Sequence, residues 1–194
     1  MTERPASEPT EPDLPAAGRT RVTANPVFWC AAVAALGVGA DAATKAWALA
    51  RLSHDRDITL PGGLIRLQLV INHGAAFGLG ASYEPVLSAI AFIGVILLGT
   101  WAVRATGRVE ALGAALAAAG AAGNLIDRLT RPPAVLHGGV VDWLHVSFYG
   151  PTFNLADVWL RAGALIAVGA WLWQHRTRVA HQPAPGEPDR SLAT

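Results

Sequence analysis

Apolar residues gather in four long runs, Val27 to Ala50, Pro85 to Val103, Ala111 to Ile126 and Val158 to Trp173. A helix that crosses a bilayer needs roughly 20 mostly apolar residues. The second run meets this without a charge; the first contains Asp41 and Lys45, and the fourth contains Arg161. The third reaches spanning length by starting at Val109 and taking in part of Asn124 to Asp127. Between the first two runs, residues 64–72 alternate instead, with Ile65, Leu67, Leu69 and Ile71 on one side and Arg66, Gln68 and Asn72 on the other. A period of two predicts a half-buried strand, and Pro61, Gly62 and Gly63 open it with a turn. The segment from Thr130 to Thr152 contains Pro132, Pro133, Gly138, Gly139, Gly150 and Pro151, and predicts loop with a short strand at Val140 to Phe148. The expected fold class is an all-α membrane protein: four transmembrane helices with a small β-rich cap on the outer face.

Composition agrees. Charged residues make up 15% of the chain, against roughly 25% in a soluble domain. A net charge of +1 gives no sign of a nucleic-acid partner, and the single cysteine, Cys30, excludes an intrachain disulfide. Residues 1–24 hold Pro5, Pro9, Pro12 and Pro15 with few large apolar side chains, and 177–194 are similar. Both segments are expected to be disordered cytoplasmic tails, flanking a four-helix domain at 25–176. With the N-terminus inside, Arg19, Arg21, Arg104, Arg108, Arg176 and Arg178 flank the inner face, and Arg51, Arg56, Arg66, Arg128 and Arg131 the outer. The arginines closest to span ends favour both termini inside.

Charged groups inside a span are costly, by about 2.5–3.5 kcal/mol at mid-helix, and face the protein interior. With this orientation all of them approach the outer end of their spans. Asp41 and Lys45, four apart, share a helix face and form either a structural ion pair or a positioning device. Asn124, Asp127 and Arg128 also share a face, as a helix-ending hydrogen-bond knot or with Asp127 in catalysis. Asp142 sits among apolar residues in the second outer segment, where its carboxyl is hydrogen-bonded or has a raised pKa. Asp157, three residues after Asn154, reads as part of a helix cap or as a catalytic acid. Two carboxylates close enough to share a proton can activate water and protonate a leaving amine without a metal or cofactor. His73, His137 and His145 match no standard metal-ligand spacing.

Five ordered motifs carry a resemblance. They are Asp41, Thr44 and Lys45; the run Asn72 to Gly78; Gly123, Asn124, Asp127 and Arg128; Val140 to Asp142; and Phe153, Asn154, Ala156 and Asp157. In this order they resemble the motifs of the lipoprotein signal peptidases (signal peptidase II), over about residues 28–174. The resemblance implies an aspartic endopeptidase of the bacterial cytoplasmic membrane, multi-pass and monomeric, with no cofactor or metal. It also implies that diacylglyceryl-modified prolipoproteins are cut before the lipidated cysteine, in contact with membrane lipids, and that globomycin inhibits the enzyme. It places the catalytic aspartates at Asp142 and Asp157. Asp41, Lys45, Asn72, Gly74, Asn124, Asp127, Arg128 and Asn154 fall on positions that line or brace the site, and the loop from about Gly74 to Glu84 would lie over the substrate. The chain departs from the family at Ala42, at Ala119–Gly120 in place of a double glycine, and at Arg161, which is expected either to pair with Asp157 or to reach a phosphate. The competing functions are a transport subunit, whose polar groups would sit near the midplane, and a non-catalytic factor that binds lipidated partners.

Overall fold

The computed structural model describes residues 25–52, 57–74 and 83–180. Four helices carry the apolar runs: α1 (Pro26–Arg51), α2 (Glu84–Arg104), α3 (Arg108–Thr130) and α4 (Leu155–Ala180). At 1.5 Å per residue the shortest, α2, is about 31 Å long, enough for a bilayer core of about 30 Å. Helix entry follows the local chemistry. Asn25 Oδ1 accepts from the Val27 amide at 3.0 Å with Pro26 in the first turn, and Pro85 likewise opens α2. α4 continues to Ala180, past the boundary expected at 176; the two tails otherwise lie outside the described residues.

α3 is the central helix. In its apolar span 67% of residues are buried inside the protein, against 17% or less for the other three. Its alanines and glycines explain this, because without a hydrophobic drive between helices in lipid, close backbone approach is what holds them together. A Cβ at Gly120 would strike Ala156 O and the Leu160 backbone of α4. One at Gly113 would come within 2.7 Å of Ala167 N. On the α1 side, the Ala119 methyl fills the space beside Gly37, so alanine at this departure from the family motif packs without loss. Most large apolar side chains of α1, α2 and α4, such as Leu36, Ile90, Leu97 and Leu165, point outward and form the lipid-facing surface.

At one end of the bundle a four-stranded antiparallel sheet runs in the order β1 (Ile58–Thr59), β2 (Ile65–Asn72), β3 (Val140–Val146), β4 (Thr152–Phe153). It docks on the end of α1: Val141 packs with Ala48 and Leu52, and Trp143 meets Trp47 edge-on with centroids 5.9 Å apart. Side chains alternate along a strand, so with Val141 and Trp143 turned to α1, Asp142 faces the other way. A bulge in β2 falls between Leu67, opposite Leu144, and Val70, opposite Asp142. Uninterrupted alternation would have set Ile71 on the Asp142 face. The extra residue puts Val70 and Asn72 there instead, the kind of re-aiming that bulges provide.

Candidate active site

Beneath the sheet, the three helix ends are tied by buried charge. Lys45 Nζ lies 2.7 Å from Asp41 Oδ2 and 2.8 Å from Asp127 Oδ2, and donates to Gly123 O at 3.3 Å and Asn124 Oδ1 at 3.2 Å. Asp41 Oδ1 accepts from the Ala156 amide at 2.9 Å, where a carboxylate also suits the N-terminus of α4. Asp127 Oδ2 accepts from Val141 N at 3.2 Å, and its Oδ1 from Arg131 Nε at 2.6 Å. The expected Asp41–Lys45 pair is thus present, but as part of a knot that joins α1, α3, the start of α4 and β3. Arg131 was not singled out in the sequence, although its spacing of four from Asp127 marks the pairing.

Three asparagines pass this order on to two further carboxylates. Asn124 Nδ2 donates to Asp157 Oδ1 at 2.9 Å, while its Oδ1 accepts from Lys45 and, at 3.1 Å, from Asn154 Nδ2. Asn154 Nδ2 also donates to Asp142 Oδ1 at 2.7 Å, and its Oδ1 accepts from the Asp157 amide at 3.0 Å. Asn72 Nδ2 donates to Asp142 Oδ2 at 2.9 Å, with its Oδ1 accepting from Gly74 N at 2.9 Å. Backbone amides can only donate, so they fix Asn72 and Asn154 with their NH₂ groups toward Asp142. Asn154 therefore caps α4, as the capping reading of Asn154 and Asp157 expected, and positions Asp142 with the same side chain. The Asp157 carboxylate meanwhile turns to Asn124.

Asp142 and Asp157 line one cavity of about 740 Å³. Asn72, Gly74, Asn124 and Arg128 join them at its polar end, and Leu87, Ile90, Ala91, Gly94 and Leu98 of α2 wall its apolar side. Of α3's small residues only Ala121 reaches the cavity; the others pack against neighbouring helices, so the apolar wall comes from α2. Asp41, Lys45 and Asp127 stand behind the cavity. Burial pushes the Asp142 carboxyl up from 3.8 to about 7, with the nearby Asp157 charge acting in the same direction and the Asn72 and Asn154 hydrogen bonds opposing. Arg128 donates through Nη2 to Gly74 O at 2.7 Å, and its buried Nη1 has no hydrogen-bond partner among the described residues.

The histidines do not line this cavity. His145 is three residues from Asp142 and so on the opposite face of β3, while His73 and His137 approach Glu84, with Nδ1 atoms 3.8 and 4.0 Å from its carboxylate. Arg161 lines the cavity with its guanidinium carbon 5.9 Å from the centroid of the Tyr149 ring, and makes no ion pair with Asp157 within 4.0 Å. Most of the loop expected over the substrate, residues 75–82, lies outside the described residues.

A family model described as signal peptidase (SPase) II matches residues 33–173. A lipoprotein signal peptidase of Bifidobacterium longum subsp. infantis is 40% identical over 151 residues, covering 77% of this chain and 79% of that protein. One from Mycolicibacterium smegmatis is 34% identical over 193 residues, covering 96% and 80%. Two solved bacterial membrane enzymes share the fold. One has a TM-score of 0.66 at 22% identity, covering 82% of this chain and 94% of that one; the other has 0.62 at 26%, covering 74% and 92%.

Proposed function

Because the chain belongs to the signal peptidase II family and is a membrane-embedded peptidase, we propose that it is an intramembrane aspartic endopeptidase that releases signal peptides from diacylglyceryl prolipoproteins just before the lipidated cysteine. The observation that carries this reading is the pair Asp142 and Asp157 at the polar end of a cavity with one apolar wall. The pair works with one shared proton. Asp142, pushed up to about 7 by burial, keeps that proton and donates a hydrogen bond to the scissile carbonyl. Asp157 takes a proton from water as the water oxygen attacks the carbonyl carbon, giving a tetrahedral diolate-level intermediate whose charge Asp142 neutralises. Collapse breaks the C–N bond: the amine leaves with the proton that Asp157 had taken, and Asp142 recovers its own proton from the former carbonyl oxygen as the new carboxyl forms.

The surrounding residues act through position. Asn72, Asn124 and Asn154 hold the two carboxylates, and Lys45 with Asp41 and Asp127 holds the helix ends that carry them. Arg128 and Gly74 sit where a substrate backbone would enter. The wall formed by α2 suits the acyl chains, which keep the lipidated cysteine at bilayer level while the scissile bond meets the dyad at the outer interface. In this reading both termini are cytoplasmic, the membrane is the bacterial cytoplasmic membrane, the enzyme acts as a monomer, and globomycin inhibits it. A transport function fits less well, because the polar groups gather at one end of the bundle under the sheet rather than at mid-span.

The test is cleavage of a purified diacylglyceryl prolipoprotein, with the new N-terminus located by mass spectrometry. The expected N-terminus is the lipidated cysteine, with the unlipidated precursor left intact. Cleavage elsewhere, or equal cleavage of the unlipidated precursor, would overturn the substrate assignment.

A further inference from the structure

One cation at the cavity is unused by the proposed chemistry. Arg161 lies one helical turn beyond Asp157 on α4, is exposed, and borders the same cavity. Its guanidinium faces the ring of Tyr149, which packs edge-on against Phe153 with centroids 5.6 Å apart. A cation–π contact at this distance draws the charge toward the ring without neutralising it. Among the described residues Arg161 forms no ion pair.

The apolar wall runs from the same cavity. Leu87 to Leu98 extend about 16 Å along α2, with Leu160 of α4 and Ala121 of α3 across from them, and Ile90 at the edge is 60% exposed. A cation beside an apolar groove of this length matches an amphiphile with an anionic headgroup and acyl chains. The proposed substrate does not satisfy the cation, since a diacylglyceryl group thioether-linked to cysteine carries no phosphate. A phosphodiester does, and arginine is the side chain whose planar fork binds one bidentately while stacking on an aromatic face.

We infer that Arg161, oriented by Tyr149, binds the phosphate of an anionic phospholipid whose acyl chains lie along α2, and that this lipid competes with the prolipoprotein for the cavity. The competition rests on the peptidase reading; the lipid site does not. Phosphatidylcholine is a poor occupant because its own choline balances the phosphate, whereas phosphatidylglycerol carries a net negative charge.

The experiment uses the full chain in mixed micelles in which phosphatidylglycerol progressively replaces phosphatidylcholine. The expected result is a KM for a lipidated precursor that rises with phosphatidylglycerol at constant kcat. In Arg161→Gln the inhibition is expected to need about fivefold more phosphatidylglycerol, the change for one arginine near an anionic headgroup, with Arg161→Lys in between. In parallel, retention of radiolabelled phosphatidylglycerol on the purified protein needs no turnover, and is expected to fall in Arg161→Gln. An unchanged wild-type KM, an equal rise in Arg161→Gln, or equal lipid retention overturns the proposal. A KM already raised in Arg161→Gln in pure phosphatidylcholine would give Arg161 to the substrate instead, and equal inhibition by inorganic phosphate would remove the lipid. If the wild type cleaves nothing, the peptidase reading fails while the retention measurement still decides the lipid site.

Discussion

Asp142 holds opposing forces on one side chain. Two asparagine amides donate to it and favour the anion, yet burial and the neighbouring Asp157 charge outweigh them and bring it to about 7. If its proton polarises the scissile carbonyl, kcat/KM falls as pH rises through about 7, and a pH–rate profile flat across that range would contradict this role. The stability consequence has a definite sign. Between its ordinary value of 3.8 and about 7 the folded protein keeps a proton that the unfolded chain has released, so this group's contribution weakens as pH rises through that window. Asp142→Asn is expected to flatten the decline in thermal stability over the same range. Lys45 behaves differently, since its buried ammonium serves two carboxylates at once. Removing one partner of a buried ion pair leaves uncompensated charge, so Lys45→Met is expected to destabilise by about 3–5 kcal/mol, read as a lowered melting temperature in detergent. At this scale the sequence was readable where partners lie four apart, as for Asp41 and Lys45. It was silent on the Ala156 amide that binds Asp41, because that contact joins positions 115 residues apart.

Among the elements, the contact of α3 with α4 sets the distance from Asn124 to Asp157. Gly120 permits it: a methyl there meets the α4 backbone, which cannot yield as a flexible side chain would. Gly120→Ala is expected to cost about 1–3 kcal/mol by overpacking and to lower kcat by parting the two helices at the site. Gly169, on α4, has nothing within 4 Å of a built Cβ, so Gly169→Ala should be neutral or stabilising by up to about 1 kcal/mol. Similar effects of the two on melting temperature would count against the packing argument. Hydropathy located all four helices, α1 and α2 to within one residue at each end and α4 with its C-terminal end seven residues short, because bilayer thickness sets the length and composition only of the spanning part. The strand at 65–72 was equally plain in its alternation. Its bulge was not, since an extra residue leaves no mark in a pattern of period two until the partner strand is known, and the bulge is what turns Asn72 toward Asp142. The small residues of α3 open no groove, because α1 and α4 fill the space beside them.

For the molecule as a whole, function follows from where the polar groups are gathered. Apolar side chains cover the outside of the bundle, a sheet caps one end, and the two candidate aspartates meet at the cavity beneath that cap. A lipid-anchored substrate can reach such a site sideways from the bilayer while its peptide bond stays near water. With Arg104 and Arg108 at the opposite end of the bundle, reporter fusions at both termini are expected to report a cytoplasmic location, and a reporter in the β1–β2 turn an external one; the reverse pattern would contradict the orientation. The most direct measurement compares turnover of a diacylglyceryl prolipoprotein by the wild type, Asp142→Asn, Asp157→Asn and Asp127→Asn, each checked for an intact thermal transition. Turnover is expected to vanish in the first two variants while both remain folded, and to persist at a reduced level in Asp127→Asn. Turnover that survives in a folded Asp142→Asn and disappears in a folded Asp127→Asn would contradict the assignment of the dyad.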